Sequence, residues 1–130
     1  MDPRHEMRLK VVQNLFAKSF TQLKDNVPYP EVEITNAIFS HLEEIDKLIS
    51  QYAPKYPLDR IAKTDLAILR LSIYELVIEP KEPMKVVINE AVELAKEFGG
   101  DRSYAFVNAV LGSVATNSLK NSDEQSTKPV

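Results

Sequence analysis

Arg4 and Arg8 stand four residues apart near the start of the chain, with His5 and Lys10 between and beside them. On a helix this spacing puts both guanidiniums on one face. Such a face can hold the phosphates of a nucleic acid through salt-sensitive contacts, and it equally suits a solvated surface. Arg102 lies just before the last apolar stripe, where its guanidinium can reach a phosphate or stack on a base. Little else points to reaction chemistry. Neither His5 nor His41 has a second histidine at a metal-ligand spacing. Glu75, Glu90 and Glu93 lack the Glu-x-x-His pairing of a di-metal carboxylate site. Gly99-Gly100 reads as a helix stop in the left-handed conformation rather than a phosphate cradle. The chain is therefore expected not to be an enzyme, and to need no metal and no cofactor.

Composition narrows the classes further. The 130 residues include no cysteine, which excludes disulfides, zinc-thiolate sites and thiol catalysis. No apolar run approaches the ~20 residues of a membrane span, so the expectation is a cytoplasmic protein without a membrane partner. The net charge of −3 excludes a strongly basic nucleic-acid binder. The charge is uneven, however. Residues 1–24 carry five bases against two acids, whereas residues 31–46 carry five acids and no base.

The elements that must position these residues are helices. Asp2-Pro3 is a helix start. The stripe Leu9, Val12, Phe16, Phe20 and Leu23 extends that helix to residue 23, ahead of Pro28 and Pro30. Ile34, Ile38, Leu42, Ile45, Ile49 and Tyr52 predict one long helix over 31–53, stopped by Pro54 and Pro57. Leu58–Ile61 is a short helical turn. Residues 65–78 are apolar around nearly the whole circumference and predict a central helix, capped by Thr64 or Asp65. Val87, Ile88, Ala91, Val92, Ala95 and Phe98 form the next stripe. Phe106, Val107, Val110, Leu111 and Val114 form the last, with Asp101 or Ser103 as its cap. Glu90 is expected to pair with Arg70, and Asn89 to satisfy backbone groups of the proline loop. The sum is an all-α domain over residues 1–117, followed by a disordered tail over 118–130.

Three segments carry a family pattern: Asp65–Leu76 (DLAILRLSIYEL), Pro83–Gly99 (PMKVVINEAVELAKEFG) and Phe106–Leu111 (FVNAVL). Together they resemble the NusB family of transcription antitermination factors. The resemblance is strong over about residues 58–115 and looser over 8–53. It implies a helical fold of two small packed bundles. It also implies binding to the boxA element of nascent ribosomal RNA together with NusE, a ribosomal small-subunit protein, and action on RNA polymerase. Carried over by position, Arg4, His5, Arg8, Lys10, Arg102 and Phe106 would contact RNA, and Phe16 and Asp65 would contact the partner. Self-association into a homodimer stays open. The sequence departs from the family in its thinned N-terminal arginines, in Arg102 where relatives often carry an acid, and in Asn108-Ala109 for Asn-Gly. The thinned arginines also suit a protein–protein adapter with little RNA binding of its own.

Overall fold

The computed structural model describes residues 2–20 and 26–126, with side chains through 117. Six α-helices follow one another: α1 (Pro3–Lys18), α2 (Ile34–Ser40), α3 (Leu42–Tyr52), α4 (Lys63–Ile73), α5 (Met84–Phe98) and α6 (Ser103–Ser126). A 3₁₀ turn at Leu58–Arg60 precedes α4, and a π-helical turn at Tyr74–Ile78 extends it. α4 is the common element, packed against α1 on one side and against α3, α5 and α6 on the others. Eight of its residues are buried, which is why its sequence is apolar all round. α1 and α2 form the smaller group, and α3, α5 and α6 the larger. One apolar core runs through both, from Val11 and Leu15 to Leu111 and Val114.

The start of α1 follows its local chemistry, since the Asp2 carboxylate accepts a hydrogen bond from the Arg4 amide at 2.9 Å. Its inward face does not follow the apolar stripe. Val11, Val12 and Leu15 are buried together with Arg8 and Asn14, while Phe16 and Phe20 are exposed. Asn14 explains part of the rotation. Its amide donates to the Tyr29 carbonyl at 2.8 Å and to Thr35 Oγ1 at 2.9 Å, and its Oδ1 accepts from the Tyr29 amide at 2.8 Å. A polar side chain so satisfied can occupy the core, and here it ties the connection before α2 onto α1. The helix ends at Lys18 rather than at residue 23, and Leu23 lies outside the described residues.

The expected single helix over 31–53 is two helices. His41 breaks it with φ −112° and ψ 16°. Just before it, the Ser40 hydroxyl donates back to the Ala37 carbonyl at 2.7 Å, a bond that bends helices. Ile38, Ile45 and Ile49 nonetheless stay fully buried across the break.

Two caps differ from expectation. Neither Thr64 nor Asp65 caps α4, whose N-cap position is Ala62. Gly99 closes α5 in an extended conformation, with φ −93° and ψ 177°, and not in the left-handed region. Its lack of a side chain matters for space. A Cβ there would lie 2.3 Å from Ser103 Oγ and 2.7 Å from the Ala95 carbonyl oxygen, so α6 starts directly against the end of α5.

α6 continues to Ser126, nine residues into the segment read as a disordered tail. Neither glycine nor proline interrupts it between Gly112 and Pro129. Once the docked turns have nucleated the helix, each further residue adds a backbone hydrogen bond. Residues 127–130 lie outside the described residues.

Candidate nucleic-acid interface

The N-terminal basic residues fold into a cluster of carboxylates. Arg8 is 6% exposed. Its Nε and Nη2 donate to Glu75 at 3.0 and 2.8 Å, and Nη2 also donates to Glu82. Arg4 donates to the other oxygen of Glu82 at 2.7 Å. His5 bridges Glu90, 2.8 Å from Nδ1, and Glu97, 3.3 Å from Nε2. The π-helical turn that carries Glu75 is closed by the Glu79 amide donating to the Tyr74 carbonyl at 2.9 Å. The Tyr74 hydroxyl donates to Glu79 at 2.5 Å, which pushes the phenol up to about 12.

These contacts fix charge states. Burial disfavours the Arg8 cation, but Glu75 and Glu82 outweigh it and hold its pKa above the ordinary arginine value. Burial likewise opposes ionisation of Glu82, and Arg8 and Arg4 overcome it and hold that carboxyl below the usual range. The hydrogen bond to Glu90 raises His5 against the opposing effect of burial, and Glu97 adds to the rise.

The expected open basic face is therefore corrected. Arg8 is a buried ion-pair centre whose Nε and Nη2 are taken by Glu75 and Glu82. Arg4 is exposed but already paired, and His5 is held between two carboxylates. Lys10 remains, half-buried, with its ammonium 5.4 Å from the centre of the Tyr29 ring. Two further pairings also differ from the sequence reading. Glu90 faces His5, while Arg70 makes a bidentate pair with Asp46, both bonds at 3.0 Å. Asn89 is exposed.

A second region has the opposite character. The 3₁₀ turn, the start of α4 and the α5–α6 turn enclose an open groove of about 500 Å³. It brings together Arg102, Phe106 and Asp65, three of the residues singled out from the sequence, and adds Tyr56, Arg60 and Ser103. Arg60 and Arg102 are exposed, and neither makes an ion pair among the described residues. Phe106 is half-buried and meets Tyr56 edge-on, with ring centres 5.3 Å apart. Tyr56 is 51% exposed, so aromatic surface stays open to the groove. Asp65 sits at its floor, 8% exposed. Its Oδ1 is buried without a hydrogen-bond partner among the described residues. Burial pushes the carboxyl up, and the Ser103 hydroxyl partly opposes that.

The sequence reading missed Tyr56 and Arg60. Their signal was present in the proline-bounded Tyr56-Pro57-Leu58-Asp59-Arg60, a rigid loop that presents an aromatic and a base. Only the packing of that loop beside the α5–α6 turn shows that they face Arg102 and Phe106.

Phe16 and Asp65 do not share one surface. Phe16 lines a separate apolar groove of about 430 Å³ with Val12, Ala17, Pro28, Thr64 and Phe98. It packs edge-on against Phe20 at 5.2 Å. Both phenylalanines are more than one-third exposed. The two grooves flank the start of α4, where Thr64 lines one and Asp65 the other.

The helical core thus carries a groove lined by two arginines, two aspartates and two aromatic rings beside a second, apolar groove. Comparison with known proteins makes this specific. Residues 5–116 match the NusB family, and the chain belongs to that family. The transcription antitermination protein NusB of Lysinibacillus sphaericus is 41% identical, over 83% of this chain and 93% of that protein. The NusB protein of Agathobacter rectalis is 40% identical, over 86% of this chain and 98% of its own length. The fold superposes on T. maritima NusB with a TM-score of 0.77, at 34% identity and covering 88% and 92% of the two chains. A structure of antitermination factors NusB and NusE in complex with double-stranded RNA shares the fold at a TM-score of 0.65 and 21% identity, over 89% of this chain and 99% of that one. The expectation of an all-α, NusB-like fold holds. So does the reading as a binding factor rather than an enzyme, because the family and its named relatives are antitermination proteins.

Proposed function

We propose that this chain is a transcription antitermination factor that binds boxA RNA of nascent ribosomal transcripts together with NusE and acts on RNA polymerase in the cytoplasm. The observation that carries the reading is the groove of Tyr56, Arg60, Arg102 and Phe106. It offers two unpaired guanidiniums for phosphates and open aromatic surface for an unstacked base, which is how proteins hold single-stranded RNA. Lys10 can add a phosphate contact from α1. The apolar groove around Phe16 is the surface for NusE, or for a second copy of this chain in its absence. NusE would supply positive charge that a protein of net charge −3 lacks.

The relatives support this reading through their names, and a protein of the same fold is known with NusE and RNA. The test is binding of labelled boxA RNA to the full chain, with and without NusE, at two salt concentrations and against a scrambled RNA. NusE should tighten binding and salt should weaken it. Arg60→Ala with Arg102→Ala should reduce it more than Arg4→Ala.

One observation favours a second reading, that of a protein–protein adapter. Arg4, His5 and Arg8 are all engaged by carboxylates. NusE binding with no preference for boxA over scrambled RNA would decide for the adapter.

A further inference from the structure

The polar floor of the Arg102 groove has no counterpart in phosphate binding. A carboxylate repels phosphate, and a protein that held RNA only by its backbone would have no use for one there. Asp65 is more than nine-tenths buried, and its Oδ1 has no hydrogen-bond partner among the described residues. A buried acceptor in this state gains a full hydrogen bond from any donor that reaches it. Around it stand Tyr56 and Phe106, which offer ring surface, Arg60 and Arg102, which offer positive charge, Asp101, which offers negative charge, and the Ser103 hydroxyl.

We propose that Asp65 reads the edge of an unpaired base held in this groove and selects bases that carry an exocyclic amino group. The inference rests on the RNA reading above and deepens it. Adenine, cytosine and guanine each present an N–H₂ that a single carboxylate oxygen can accept from, and carboxylates pair in this way with the cytosine amino group. Uracil has none. Its one edge donor, N3–H, lies between two carbonyl oxygens that a carboxylate repels. The backbone of the strand then runs past Arg60 and Arg102, whose two charges offset those of Asp65 and Asp101. The base stacks on the open aromatic surface, which by itself does not distinguish one base from another. Asp65 would supply the discrimination that stacking and phosphate contacts lack.

The experiment compares short oligocytidine and oligouridine by fluorescence anisotropy at low ionic strength, with the full chain alone and with NusE. A third oligonucleotide carries 2-pyrimidinone in place of cytosine, which removes only the amino group. The wild-type chain should bind oligocytidine about fivefold more tightly than oligouridine, and the 2-pyrimidinone strand should fall to the oligouridine level. Asp65→Asn replaces an acceptor-only group with one that both donates and accepts. It should bring the ratio close to one, mainly by improving oligouridine binding. Equal binding of the strands by the wild type, or an unchanged ratio in Asp65→Asn, overturns the inference while leaving RNA binding in place. If Asp65→Asn loses NusE affinity at an unchanged ratio, the carboxylate belongs to the protein interface and the inference also falls. Failure of every oligonucleotide to bind, with or without NusE, overturns the RNA reading itself. Should the variant not fold, the 2-pyrimidinone comparison on the wild type decides alone.

Discussion

The N-terminal cluster and the Arg102 groove contain the same kinds of residue in opposite states. At the N-terminus, Arg4, His5 and Arg8 meet Glu75, Glu82, Glu90 and Glu97, and each base has at least one carboxylate within 3.3 Å. In the groove, Arg60 and Arg102 are exposed and make no ion pair among the described residues, and the buried polar group without a partner there is an acid. The first region has spent its electrostatic capacity on joining α1 to the π-helical turn and α5. The second leaves its two guanidiniums without such pairs among the described residues. Basic residues near a terminus are thus poor indicators of a nucleic-acid surface until their partners are known. A buried ion pair stabilises the contact it spans only while both halves remain, whereas an exposed guanidinium changes folding little and binding more.

Four substitutions sharpen that contrast. The largest effect is expected from Arg8→Ala, which strands Glu75 against α1 and leaves Glu82 with Arg4 alone. Stability should fall by about 3 kcal/mol, read as a lower urea midpoint with an unchanged slope. RNA affinity of the folded fraction should change little, and a selective loss of RNA binding at full stability would reverse the assignment of the two regions. Phe106→Ala comes next. Loss of a stacking surface should weaken RNA binding by about 1–3 kcal/mol, with a smaller loss of stability because the ring is only half-buried. Arg102→Ala should lower RNA affinity less, and reduce the slope of log affinity against log salt by about one, at unchanged thermal stability. Arg4→Ala, an exposed partner of Glu82, should move neither quantity measurably.

A pH dependence is expected as well. His5 has a folded pKa above its ordinary value of about 6.5. Its contribution to stability is complete below that value and is lost as pH rises through the folded one. Glu82 is lowered, so its contribution is present above the ordinary carboxylate range and lost as pH falls through its folded value. The N-terminal contact should be strongest between those limits. In His5→Gln the decline in thermal midpoint on the alkaline side should flatten, and an unchanged profile would remove His5 from the contact.

Much of the fold was readable along the chain. Asp2-Pro3 starts α1, the all-round apolar segment at 65–78 is the central helix, and the stripes of α5 and α6 bury Val87, Ala91, Val107 and Leu111 as expected. The failures share one cause. Periodicity assumes that polar residues face water, so it turned α1 by about one residue and exposed the wrong face. Arg8 and Asn14 face inward because distant groups satisfy them, Glu75 and Glu82 for one and Tyr29 and Thr35 for the other. The break at His41 was hidden for a related reason, since the apolar stripe runs across it unchanged.

The same division holds for the site. The sequence by itself determined the helical architecture, the family and the presence of Arg102, Phe106 and Asp65, because local periodicity, caps and motif order are properties of neighbouring residues. Which bases are neutralised, which arginines remain open, and that Tyr56 and Arg60 join Arg102 over a buried carboxylate were decided only by the tertiary structure. The physical reason is that charge pairing and desolvation depend on distances of a few ångströms between residues tens of positions apart, as between Arg8 and Glu82, and chain order does not contain those distances.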